Sequence, residues 1–339
     1  MTIKRLIVAA VAAVSLYFVG PSVLDVFSSW PDVRDLDPLL LQFIVLAQLA
    51  AFACFWVVLR IALDTRGWFP VITSQLAANA AARLAPGGGA VGSALQYSML
   101  VRAGLPGVTA ATGLTAASLL TTGIVLALPA LALPAVLGGT PVDRSLARAA
   151  WAGGAAIVAL VGAGAVLLFT DRPLRRAGTV LQAVRNRVLR RRRPVTDLGD
   201  RLIAERDFIR RVFSAHWFRA LAATCGRWGF DYLSLLIALV AVGARPAPSA
   251  VLLAFCVAQA LSLVPLTPGG LGFVEAGLTG TLALAGVGAG EALTATLAYR
   301  LAAYWLPIPF GAGAYVLHSR RYGRATAKES GDMPAPRLR

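Results

Sequence analysis

The sequence predicts an all-α fold: a polytopic helical membrane protein with about six full spans plus two re-entrant broken hairpins in an inverted repeat. Three observations carry this. The 339 residues are 58% hydrophobic and only 14% charged, whereas about a quarter of a soluble globular chain is charged. Mean hydropathy is +0.71, and apolar stretches of about 20 residues, enough to cross a hydrocarbon core, recur along the chain. Finally, two apolar regions are each split by a Pro-Gly-Gly cluster, in corresponding places of the two halves.

The first apolar run follows Lys4 and Arg5, stays apolar to Phe27 and has no small-x-small cleavage site, so it reads as an uncleaved span over residues 6–27. An acidic loop with Asp32, Asp35 and Asp37 leads to a second span over 38–62. The third, 107–137, contains Pro129 and Pro134 and is expected to tilt or kink. The fourth covers 146–169, where Gly153, Gly154, Gly162 and Gly164 read as close helix packing. The fifth covers 213–242 and the sixth 290–317, with Pro307 and Pro309 expected to kink the latter. Between these lie residues 68–104 and 248–288, whose halves of about 15 residues are too short to cross alone. Each reads as a pair of half-helices entering and leaving on one side, with the irregular backbone covered by protein or a watery cavity.

Basic residues gather beside the spans, and the formal net charge is +16. In a membrane protein this is the positive-inside pattern and calls for no nucleic acid. Lys4 and Arg5, the run Arg190, Arg191, Arg192 and Arg193, and the tail residues Arg320, Arg321, Arg324 and Lys328 all fall in the cytoplasm under this count, which makes both termini cytoplasmic in a plasma-membrane protein. The first split region then opens from the cytoplasm and the second from outside. One transmembrane domain covers 1–320, with halves at about 1–145 and 146–320 and a basic cytoplasmic loop at 171–211; a disordered tail is expected at 321–339. Within the loop, Val180, Leu181, Val184, Val188 and Leu189 recur at helical spacing among arginines. This fits either a pure topology signal or a helix lying on an anionic leaflet.

The repeat aligns Leu84-Ala85-Pro86-Gly87-Gly88 with Leu266-Thr267-Pro268-Gly269-Gly270, followed by Gly272 in the second copy. Interrupted helices in matching places point to a transporter-like site near the midplane. Glycines uncover backbone amides, and a half-helix N-terminus adds positive charge, which suits an anionic group. Buried charge gathers nearby. Arg300 lies mid-span, with Glu275 as its expected partner or as a proton-coupling carboxylate; Asn79 and Arg83 precede the first glycine cluster. Arg83 and Arg300 read equally as ligand contacts or ion-pair anchors. Arg227 and Asp231, four residues apart on one helix face, read as a structural intramembrane pair. Tyr299, Tyr304 and Trp305 read first as packing or interface anchors, and Tyr299 also joins the proposed headgroup site. Cys54, Cys225, Cys256, His216 and His318 form no metal-binding spacing, and there is no P-loop; no metal, cofactor or catalytic cluster is expected, and the chain is not expected to be an enzyme.

The stretches NAAARLAPGGGAVGSALQYSMLVR (79–102) and LSLVPLTPGGLGFVEAGLTGTLALAGVGAGEALTATLAYRLAAYWLPIPFG (261–311) resemble the transmembrane family named after lysylphosphatidylglycerol synthase. The resemblance implies flippase-like movement of lipids, often aminoacylated or glycosylated, across the plasma membrane. Some members join this membrane part to a soluble aminoacyl-transferase domain, for which the residues after the sixth span leave no room; synthesis of lysyl-phosphatidylglycerol by this chain alone is therefore not expected. The expected partners are anionic membrane lipids, with a second copy or a membrane enzyme as a further partner. Two rival functions are a gradient-coupled small-solute transporter and a non-transporting partner of an envelope glycosyltransferase.

Overall fold

The computed structural model of the chain describes residues 36–85, 88–132, 170–188, 197–262 and 270–331, with isolated positions between 148 and 166. The predicted first span lies outside the described residues, as does most of the fourth. The described residues are almost all helical, with short turns at 63–67, 103–106, 242–247 and 285–288 and no strand among them.

Helix α1 (Pro38–Ala62) matches the second predicted span residue for residue. Asp37 caps it by accepting from the Leu39 amide at 2.9 Å, and Pro38 opens its first turn. Its 25 residues span roughly 37 Å, more than a hydrocarbon core. Leu39, Phe43, Leu46 and Leu49 are exposed on one face, while Ile44, Ala47, Gln48 and Ala51 are buried on the other. A continuous apolar outer stripe over a partly polar inner face suits a helix bounded by lipid rather than water.

The first split region forms α2 (Trp68–Leu84) and α3 (Gly88–Arg102), which pack on each other. α4 (Gly107–Ala127) tightens into a 3₁₀ turn, Leu128–Ala132, at Pro129. The irregularity falls at the first of the two prolines in the predicted third span; Pro134 lies outside the described residues. α1 and the stretch Gly107–Ala130 are the two described helices long and apolar enough to cross a membrane by length and composition.

The predicted basic loop is helical on both sides of residues 189–196, which lie outside the described residues. α5 (Asp171–Val188) packs on α6 (Leu198–Ala241), with Arg206 bridging Asp171 at 2.6 Å and Asp207 at 2.8 Å. The fifth predicted span is thus the second part of a 44-residue helix that bends at His216, where φ is −131° and ψ is 19°. The charged residues before 213 hid this continuation, because they lower hydropathy without lowering helix propensity.

The second split region gives α7 (Pro248–Ser262) and α8 (Phe273–Leu284), which also pack together. The sixth predicted span is α9 (Ala289–Arg300), a π-helical turn Leu301–Trp305, and α10 (Pro307–Gly331). The π turn is closed by the Leu306 amide donating to the Leu301 carbonyl at 2.9 Å. Pro307 therefore begins a new helix, where its missing amide costs nothing. α10 continues to Gly331, through the first part of the tail expected at 321–339; residues 332–339 lie outside the described residues.

Two apolar clusters organise the packing. One joins Val58, Leu59, Val71, Leu100 and Ala110 from α1 to α4. The other joins Leu235, Phe255, Leu278, Leu282 and Ala295 from α6 to α9.

Candidate functional site

The rod formed by α9, the π turn and α10 meets both split pairs in sequence. Thr296 bonds Thr279 of α8 at 3.3 Å, and one turn later Arg300 meets Glu275. From the π turn onward, the partners switch to α2. Arg83 Nη1 donates to the Tyr304 carbonyl, Gly311 lies against Leu76, and His318 bonds Thr73 at 2.7 Å. The ends of both split pairs nearest their breaks therefore face the same short stretch of the rod, between residues 300 and 304. π turns often accompany functional sites, and this one follows Arg300 directly and contains Tyr304.

At this level lies a cavity of about 450 Å³. It brings together Asn79 and Arg83 from α2, Gly88 from α3, Arg227 and Asp231 from α6, Gly270 before α8, and Tyr299 and Arg300 from α9. Arg300 Nε donates to Glu275 Oε1 at 2.7 Å; Nη2 approaches the same oxygen at 2.7 Å without hydrogen-bond geometry. Glu275 is thus the counter-ion of Arg300, and its Oε2 has no hydrogen-bond partner among the described residues. Tyr304 stands between two cations: Arg83 lies 5.0 Å and Arg300 4.5 Å from its ring centroid, and its hydroxyl donates to the Arg83 carbonyl at 3.0 Å. Tyr304 is a site residue that the sequence reading assigned to packing. The signal for it was its place four residues after an intramembrane arginine, on the same helix face.

The expected ion pair of Arg227 with Asp231 does not form. The two share a face and a cavity, but Asp231 Oδ1 accepts from Gln48 at 2.7 Å and from Tyr299 at 2.9 Å, and Oδ2 accepts from Gln259 at 3.4 Å. Three other helices satisfy the carboxylate. The Arg227 guanidinium instead lies over Phe55 at 5.0 Å and Trp228 at 4.7 Å, and its Nε is buried without a hydrogen-bond partner. The cavity and its walls hold Arg83, Arg227 and Arg300 against Asp231 and Glu275, so cations outnumber carboxylates.

Pro86, Gly87, Pro268 and Gly269 lie outside the described residues. Gly88, Gly270 and Gly272 flank the breaks. A Cβ at residue 88 would collide with the Ala82 carbonyl, so only glycine lets α3 start this close to α2. Gly270 and Gly272 have φ of +73° and +77°, a region that side chains disfavour. Gly270 lines the cavity; Gly272 caps α8, one turn before Glu275.

Two further hollows adjoin. A second cavity of about 320 Å³ lies between α2, α3, α4 and α6, and shares Asn79, Ala82, Gly89, Arg227, Gln259 and Ser262 with the first. An apolar groove of about 150 Å³ is lined by Leu49, Phe52, Trp56, Leu306 and Phe310, and meets the charged cavity at Gln48 and Phe52.

Comparison with known proteins agrees with a membrane role. The sequence profile described as Lysylphosphatidylglycerol synthase TM region matches residues 5–311. A UPF0104 membrane protein of Methanothermobacter thermautotrophicus is 33% identical over 112 residues, which cover 33% of this chain and 31% of that protein. The similarity thus spans about a third of that relative's length.

Proposed function

We propose, for a chain that belongs to the lysylphosphatidylglycerol synthase transmembrane-region family, that it moves lipids between leaflets by holding an anionic headgroup in the arginine-rich cavity. The observation that carries this reading is the convergence of Arg83, Arg227 and Arg300 on one cavity at the breaks of both split helix pairs. An unpaired cation in hydrocarbon is costly, and a buried cluster of them is best stabilised by an anion. The apolar groove opening from the cavity favours a lipid over a free solute, because it offers acyl chains a path toward the membrane-facing side chains Leu49 and Phe310. No covalent step is assigned: the chain acts as a carrier and not as an enzyme.

In this reading α2/α3 and α7/α8 are re-entrant hairpins of an inverted repeat, and six other segments cross fully. The rod from residue 289 to 331 supports it. Between Thr296 and His318 the rod rises roughly 33 Å, about one hydrocarbon thickness, while its neighbours change from the second pair to the first. Each pair then has its open end at a different face, with both termini cytoplasmic.

The test is lipid scrambling in proteoliposomes carrying fluorescent phospholipids in both leaflets. Protein-dependent exchange should fall at least about tenfold in Arg300→Ala, as expected for losing one or two charge-assisted contacts. Exchange no faster than in protein-free vesicles would remove the proposal; proton-linked uptake of a soluble solute would replace it with a transporter coupled through Glu275.

A further inference from the structure

The second cavity differs in chemistry from the first. Its walls hold Gln75, Asn79, Gln96, Ser118, Thr121 and Thr122, and no carboxylate occurs among its described lining residues. Thr121 donates its hydroxyl to the Ala117 carbonyl at 2.6 Å, which leaves its oxygen free to accept. Gln96 offers the complement: its Nε2 is buried without a hydrogen-bond partner, a donor that costs about 1–3 kcal/mol to leave unmet. Gln75 Oε1 is occupied by the Trp56 indole at 2.9 Å, which fixes that amide in place. Arg227 stands at the boundary, lining both cavities, with its Nε unmet as well. A ligand spanning the two would meet cations at one end and neutral donors and acceptors at the other.

Hydroxyl groups are the matching chemistry, since each both donates and accepts. An ammonium group is not, because it needs an anion or several acceptors and would lie near Arg227 instead. We propose that the double cavity selects a phosphate ester that carries a polyol or sugar, and disfavours one that carries an amine. The inference rests on the headgroup reading above and narrows it; the phosphate ester is either a lipid headgroup or a free polyol phosphate.

The experiment measures binding of short-chain phosphatidylinositol, phosphatidylglycerol, phosphatidic acid and phosphatidylethanolamine, and of glycerol 1-phosphate, to the purified full chain in detergent by native mass spectrometry. The two polyol lipids should bind several-fold tighter than phosphatidic acid, and phosphatidylethanolamine weaker than phosphatidic acid. Gln96→Glu should reverse the order by giving the amine a carboxylate. Thr122→Val, a near-isosteric loss of a hydroxyl, should shrink the polyol preference if the first variant fails to fold. Equal binding of all four lipids, unchanged in both variants, overturns the selectivity while leaving a headgroup site. Binding of glycerol 1-phosphate without any lipid overturns the lipid reading yet keeps the polyol-phosphate chemistry. Loss of every signal overturns both.

Discussion

Arg300 is 8% exposed and would cost at least about 2.5–3.5 kcal/mol at the centre of a bilayer if unpaired. Its pairing with Glu275 at 2.7 Å removes much of that cost, so the two side chains should behave as a unit. Glu275→Gln alone is expected to destabilise the protein by about 3–5 kcal/mol, because it strands a buried cation. The double variant Glu275→Gln with Arg300→Met should recover most of the loss, read as the midpoint of thermal unfolding in detergent. If the double variant is as unstable as the two single effects added together, the charges do not depend on each other. This pair was legible in the sequence, since a charge inside an apolar run demands a partner within reach, and Glu275 was the one acid in the adjacent half-helix. The partners of Asp231 were not legible. Gln48 is 183 residues away, and only tertiary packing decides that it reaches the carboxylate before Arg227 does.

Among the elements, α2 and α10 pack closely because Gly311 has no side chain. A Cβ there would strike the Leu76 carbonyl and lie 2.6 Å from the Ala80 Cβ. In lipid, helices associate through such close contact more than through the hydrophobic effect. Gly311→Val should therefore destabilise by about 1–3 kcal/mol, as overpacking does. Gly313→Val, two residues on, has nothing within 4 Å of its added Cβ and serves as the matched control. Equal unfolding temperatures for the two variants would show that α10 does not rest on α2 at this point. Hydropathy located α1 to the residue and both split regions, because a break at Pro-Gly is a local signal. It missed the start of α6 and the end of α10, where charged helix formers continue a helix beyond its apolar part. Pro307 and Pro309 signalled an irregularity in the sixth span, but not that it would be a π turn at Leu301–Trp305, which itself contains no proline or glycine.

For the whole molecule, the proposed inverted repeat makes a directional claim. The turn before α2 and the turn before α7 should lie on opposite faces of the membrane. Arg66 and Arg245 occupy these turns and are exposed. Each can be replaced by cysteine once Cys54, Cys225 and Cys256 have been changed to alanine. A membrane-impermeant maleimide should label Arg66→Cys only in inside-out vesicles and Arg245→Cys only in right-side-out ones. The charges alone cannot settle this, because both positions are arginine and the positive-inside bias is a sum over many loops. What favours opposite faces is the order of contacts along the stretch from α9 through the π turn to α10. The first turns of α2 meet the rod at Thr73–His318, whereas α8 meets it at Thr279–Thr296, 22 residues earlier, a separation of roughly one hydrocarbon thickness along helical backbone. Labelling of both cysteines from one side would mean an even number of crossings between them, so that either α2/α3 crosses the bilayer or one of the three predicted spans between them does not, and the opposed entry of the two pairs would be lost.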